Sequence, residues 1–132
     1  MGRSEPKPIG HSMNPREEKL LRYLVESTAT RLGDAVSRFG GEKARQALEA
    51  VFVDSLEGSC FQSAGNGFRV TISAGNWSDG ATLMERLIDH AAGIVGKNTV
   101  KKEVGAIMSD TEEKLGISLY EIYFRLGIHK YQ

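Results

Sequence analysis

Apolar residues along this chain fall into two runs that repeat about a glycine. In the first, Leu32, Ala35, Val36 and Phe39 lead to Gly40, and Ala44, Leu48, Val51 and Phe52 follow. In the second, Ile88, Ala91, Ala92 and Val95 lead to Gly96, and Val100, Val104, Ile107 and Met108 follow. Steps of three and four residues place each run on one face of a helix. A glycine between two such runs marks where one helix stops and the next begins. An internal echo of this kind speaks to architecture and names no reaction.

Around the echo the other elements can be read. Asn14, Pro15 and Glu17 make a helix start, with Asn as N-cap, Pro at the first helical position and Glu as the capping carboxylate. Leu20, Leu21, Leu24, Val25 and Thr28 carry the stripe on to Phe39. After Gly40 and Gly41 a second helix is expected over about 42–56, with Ala47 in its apolar stripe. Between Gly58 and Gly75 the period changes to two: Phe68, Val70 and Ile72 alternate with Arg69, Thr71 and Ser73. Residues 59–63 are the expected partner strand, joined through Ala64-Gly65-Asn66-Gly67, and Asn-Gly is a strong hairpin signal. A third helix follows, capped by Ser78 or Asp79, and beyond Gly96 a fourth is capped by Asn98 or Thr99. The last helix has Ser118 and Glu121 as a capping box, Ile117 and Ile122 as a hydrophobic staple, and Gly127 as its end.

Together these elements predict a mainly helical α+β fold. Two helix–Gly–helix units flank a central β-hairpin, and an aromatic C-terminal helix closes the core. Residues 1–13 read as a flexible tail and 14–132 as a single compact domain. A hairpin alone is marginal in water, so it must pack on the helices or pair with another copy.

Composition narrows the function classes. With 132 residues, a formal charge of zero and a mean hydropathy of −0.30, the chain reads as a soluble globular protein without a broad basic footprint. That balance argues against nucleic acid as a partner. The single cysteine, Cys60, allows no internal disulfide, which fits a reducing, cytoplasmic setting. No apolar run is long enough to cross a bilayer, and no secretory signal is visible at the start.

Candidate chemistry is sparse. Gly96-Lys97-Asn98-Thr99 looks like the end of a phosphate-binding loop, but Ala91 stands where that loop needs a glycine, and a helix rather than a strand precedes it. A helix–glycine–helix joint explains the same residues. Lys97, Lys101 and Lys102 could bind an anion, and a solvated face is the plainer reading. His90 has no second ligand at metal-binding spacing, and His11 and His129 fall in the expected flexible ends. Cys60 lacks the basic neighbours that activate a thiol. The pairs Glu17-Glu18 and Glu112-Glu113 are adjacent on helices and do not face each other. No catalytic constellation, metal site or cofactor is predicted.

Two functional readings remain. The first is a non-enzymatic interaction or regulatory module, homodimeric or bound to another protein, acting through the C-terminal helix, the hairpin edge, or both. Leu119, Tyr120, Tyr123 and Phe124 are its expected interface, because a helix apolar on more than one stripe is buried on more than one side. The second is a small-ligand sensor or carrier, with Trp77, His90 and Cys60 lining a pocket between the helices and the hairpin.

Overall fold

The computed structural model describes residues 13–132. The expected tail lies outside them except for Met13, which packs part-buried against the core. The chain runs through helix α1 (Pro15–Leu56), strands β1 (Phe61–Ser63) and β2 (Val70–Ile72), and helices α2 (Trp77–Val95), α3 (Lys97–Leu115) and α4 (Tyr120–Leu126). A 3-10 turn, His129–Tyr131, follows α4. The protein is thus mostly helical with one small antiparallel hairpin.

Helix α1 starts as its sequence dictates. Asn14 Oδ1 accepts the Glu17 amide at 2.9 Å, and the Glu17 carboxylate accepts the Asn14 amide at 3.1 Å. It is not one straight rod. At Gly41 the backbone reaches φ 74°, ψ −164°, which divides it into two arms. Gly40 stays helical, so the break falls one residue later than the echo suggests. The arms fold back on each other: Arg45 Nη1 lies 3.1 Å from Asp34 Oδ1, positions that a straight helix would hold about 16 Å apart. At the second joint, Gly96 has φ 91°, ψ 155°. Both glycines therefore occupy a region of backbone space that side chains all but forbid. Phe39, at the end of the first arm, is 65% exposed rather than part of the buried stripe, and Ala47 is exposed as well.

The core is a single cluster drawing on all four helices and both strands. Leu21, Leu24, Leu32, Leu48, Phe52, Leu83, Met84 and Leu87 are fully or almost fully buried. Each such side chain contributes about 1.5–3 kcal/mol relative to exposure, so burial, more than helix propensity, holds these stripes in place. The hairpin packs on α1 through Phe68, whose ring meets Phe52 edge-on at 5.2 Å between centroids. Arg45 covers the Phe68 ring. Gly33 makes room for it: a Cβ there would come within 2.8 Å of the Phe68 ring.

Phe61 pairs with Ile72 and Ser63 with Val70. In the loop, Gly65 and Gly67 take the left-handed conformation and Asn66 does not. The turn therefore depends on the two glycines and is longer than a two-residue Asn-Gly turn. The hairpin is tied down at its margins by side chains. Glu26 of α1 accepts the outward Val70 amide at 2.8 Å, and Asp79 of α2 accepts the Cys60 amide at 2.6 Å. The Val70 amide is thus already engaged and not open to a strand from a second copy.

Three expected caps are differently made. Asn76, not Ser78 or Asp79, caps α2, its Oδ1 accepting the Asp79 amide at 2.7 Å. The Asp79 carboxylate is thereby left for Cys60. Gly96 both ends α2 and starts α3, with no side-chain cap from Asn98 or Thr99. At α4 neither Ser118 nor Glu121 forms the capping box; Glu112 of α3 accepts the Leu119 amide at 2.8 Å instead. Ile117, 58% exposed, is not buried as a staple would be.

The first joint and the interior of α2 can be tested by substitutions of opposite effect. Gly41→Ala should destabilise the protein by about 1–3 kcal/mol, because its backbone conformation is closed to alanine. Gly93 lies within α2 with open space where a Cβ would go, so Gly93→Ala should stabilise by up to about 1 kcal/mol. Chemical denaturation of both variants checks the pair.

Candidate functional site

The C-terminal segment builds the most distinctive surface of the molecule. Helix α4 is short; it packs against α2, and two hydrogen bonds tie it to α3. Glu112 receives the Leu119 amide, and the Tyr123 hydroxyl donates to the Met108 carbonyl at 3.0 Å. Tyr123 is fully buried, and Leu119, Leu126 and Ile128 are nearly so. Burial, and then the charge of the Glu112 carboxylate, push the Tyr123 phenol well above the ordinary tyrosine range. Gly127 ends the helix in a left-handed conformation, and the chain turns back so that His129 packs beside α4.

With Leu119 and Tyr123 turned inward, Tyr120 and Phe124 face out. They are 53% and 59% exposed. One helical turn apart, they lie on the same face. The His129 ring packs against both, at centroid distances of 6.0 Å to Tyr120 and 4.8 Å to Phe124. Leu115 and Ile117, just before α4, are 49% and 58% exposed. The four expected interface residues therefore divide in two: Leu119 and Tyr123 belong to the core, and Tyr120 and Phe124 to the surface. His129 has no periodic signal, because it reaches the site through the turn after Gly127.

The residues expected to line a ligand pocket are not brought together. Trp77 opens α2 and is part-buried against the core. Cys60 lies near that end of α2, through its amide bond to Asp79. His90 stands about 20 Å of helix further along, so Trp77 and His90 cannot share one small pocket. The Cys60 thiol is buried, which raises its pKa; the Asn76 backbone partly offsets this, and the Asp79 carboxylate adds to it. That is the reverse of what a reactive thiolate requires. His90 Nε2 is buried with no hydrogen-bond partner.

Lys97, Lys101 and Lys102 are all exposed near the start of α3. Lys101 and Lys102 line a cleft of about 610 Å³ with Asn98 and Ser109, and Lys97 does not. Glu103, beside these lysines in sequence, points to α1. It pairs with Arg31 at 2.7 Å and Arg38 at 3.5 Å. Those two arginines border another cleft, of about 900 Å³, between α1, α3 and the hairpin. Arg31 also approaches Asp110 at 3.8 Å. Arg31 and Arg38 are thus paired with carboxylates of α3. Among the described residues, no group of three or more His, Cys, Asp or Glu side chains could hold a metal ion, and no helix is long and apolar enough to cross a membrane.

No family profile, curated protein or solved structure matches the chain. The surface itself is the guide to function.

Tyr123 gives a test of how α4 is held. Tyr123→Phe should cost about 1 kcal/mol at neutral pH through the lost hydrogen bond. It should also change the alkaline limb of stability. An unfolded phenol ionises near about pH 10, while the folded one stays protonated. Unfolding above that pH then releases a proton, and stability falls as the pH rises. Thermal melts from about pH 8 to about pH 11 should show a shallower decline for Tyr123→Phe than for the wild type.

Proposed function

We propose that the chain is a non-enzymatic interaction module that self-associates through the exposed face of α4. The observation that carries this reading is the pair Tyr120 and Phe124, held half-exposed on one face around His129 while the same helix is anchored by Tyr123. Aromatic side chains are enriched in the centres of protein interfaces. Rigidly held rings lose little conformational entropy on binding. A formal charge of zero also means that two copies meet without net repulsion.

The size of the surface sets the expected strength. A half-exposed aromatic offers on the order of 100 Å². With Leu115 and Ile117, two copies would bury several hundred Å², below the roughly 1,000 Å² of a stable interface. A reversible association in the micromolar range or weaker follows. This fits a regulatory contact better than an obligate dimer.

Replacing both Tyr120 and Phe124 with serine should shift the protein to monomer. Because both side chains are largely exposed, the fold and its circular dichroism should be unchanged. Sedimentation velocity over about 10 to about 500 µM reads the shift. A wild type that stays monomeric across that range excludes the reading.

A further inference from the structure

The charges beside the aromatic face say how two copies would meet. Glu121 and Arg125 lie one helical turn apart on α4, next to the stripe of Tyr120 and Phe124. Both are exposed, and neither has an ion pair among the described residues. They are spaced for a pair within the helix and do not form one.

We infer, resting on the self-association proposed above, that α4 packs antiparallel against α4 of a second copy, about a two-fold axis crossing the middle of the helix. In that arrangement Tyr120 of one copy lies over Phe124 of the other, and Phe124 over Tyr120. The two-fold also keeps the charged flank of both helices on the same side of the interface. Glu121 of each copy then meets Arg125 of the other, giving two identical ion pairs. A parallel arrangement carries the charged flanks to opposite sides and leaves all four charges without partners. The interface is therefore isologous: one patch complements itself, and the assembly closes at two copies instead of growing into a fibre.

Charge substitutions test the geometry. In the antiparallel pair, Glu121→Arg sets two arginines against each other at both ends of the contact, and Arg125→Glu opposes glutamates in the same way. Each single variant should self-associate roughly tenfold more weakly than wild type, because two attractions become two repulsions. The double variant Glu121→Arg/Arg125→Glu should return to within about twofold. A mixture of the two single variants should form the mixed dimer in preference to either homodimer, because all the facing pairs are then of opposite sign. Sedimentation velocity with one variant fluorescently labelled reads all four cases, and circular dichroism confirms that each variant is folded. Self-association of the wild type with no response to the single charge reversals, or no recovery in the mixture, overturns the antiparallel geometry and leaves the aromatic contact standing. A monomeric wild type overturns both.

Discussion

The Tyr123 ring lies sealed beneath α4, with its hydroxyl on the Met108 carbonyl, and fixes the rotation of that helix. A seven-residue helix has too few hydrogen bonds to hold itself in water. Its orientation is therefore imposed by its neighbours, by packing against α2 and by the hydrogen bonds of Tyr123 and the Leu119 amide to α3. Once Tyr123 points inward, Leu119 and Leu126 fill the core beside it. Tyr120, Glu121, Phe124 and Arg125 are then left at the surface. The proposed contact is thus a consequence of how the core is closed.

The architecture was readable where a local rule and the packing ask for the same thing. Asn14, Pro15 and Glu17 form their cap because every partner lies within one turn of helix. The two glycine joints are visible because glycine readily takes the positive-φ backbone at which these apolar stripes break. The hairpin shows in the alternation of Phe68, Val70 and Ile72 and in its two loop glycines. Two of the three misread caps involve a residue distant in sequence. Asp79 could have capped α2, but it is drawn to the Cys60 amide, and Asn76 takes its place. At α4 the Leu119 amide goes to Glu112, from another helix, and Leu119 rather than Ser118 stands at the N-cap. No periodicity can show either exchange.

The surface was less readable than the fold. Helical spacing shows that α4 is apolar on two stripes, but the packing decides which stripe is buried. Tyrosine fits both roles, and here Tyr123 takes one and Tyr120 the other. His129 reaches the aromatic face through a turn whose only local sign is Gly127. The grouping of Trp77, His90 and Cys60 fails on distance along α2, a limit that becomes visible once one helix is seen to carry both Trp77 and His90. Arg31 and Arg38 of α1 face Glu103 of α3 because the second glycine joint sends α3 along α1.

The central claim is that the outward face of α4 is a contact surface for a second copy. Nuclear magnetic resonance spectra of the wild type over a dilution series test it directly. Concentration-dependent shifts are expected at Leu115, Ile117, Tyr120, Glu121, Phe124, Arg125 and His129, with residues around Arg31 and Arg38 unchanged. Shifts centred on that arginine-lined cleft, or spectra that do not change with concentration, would contradict it.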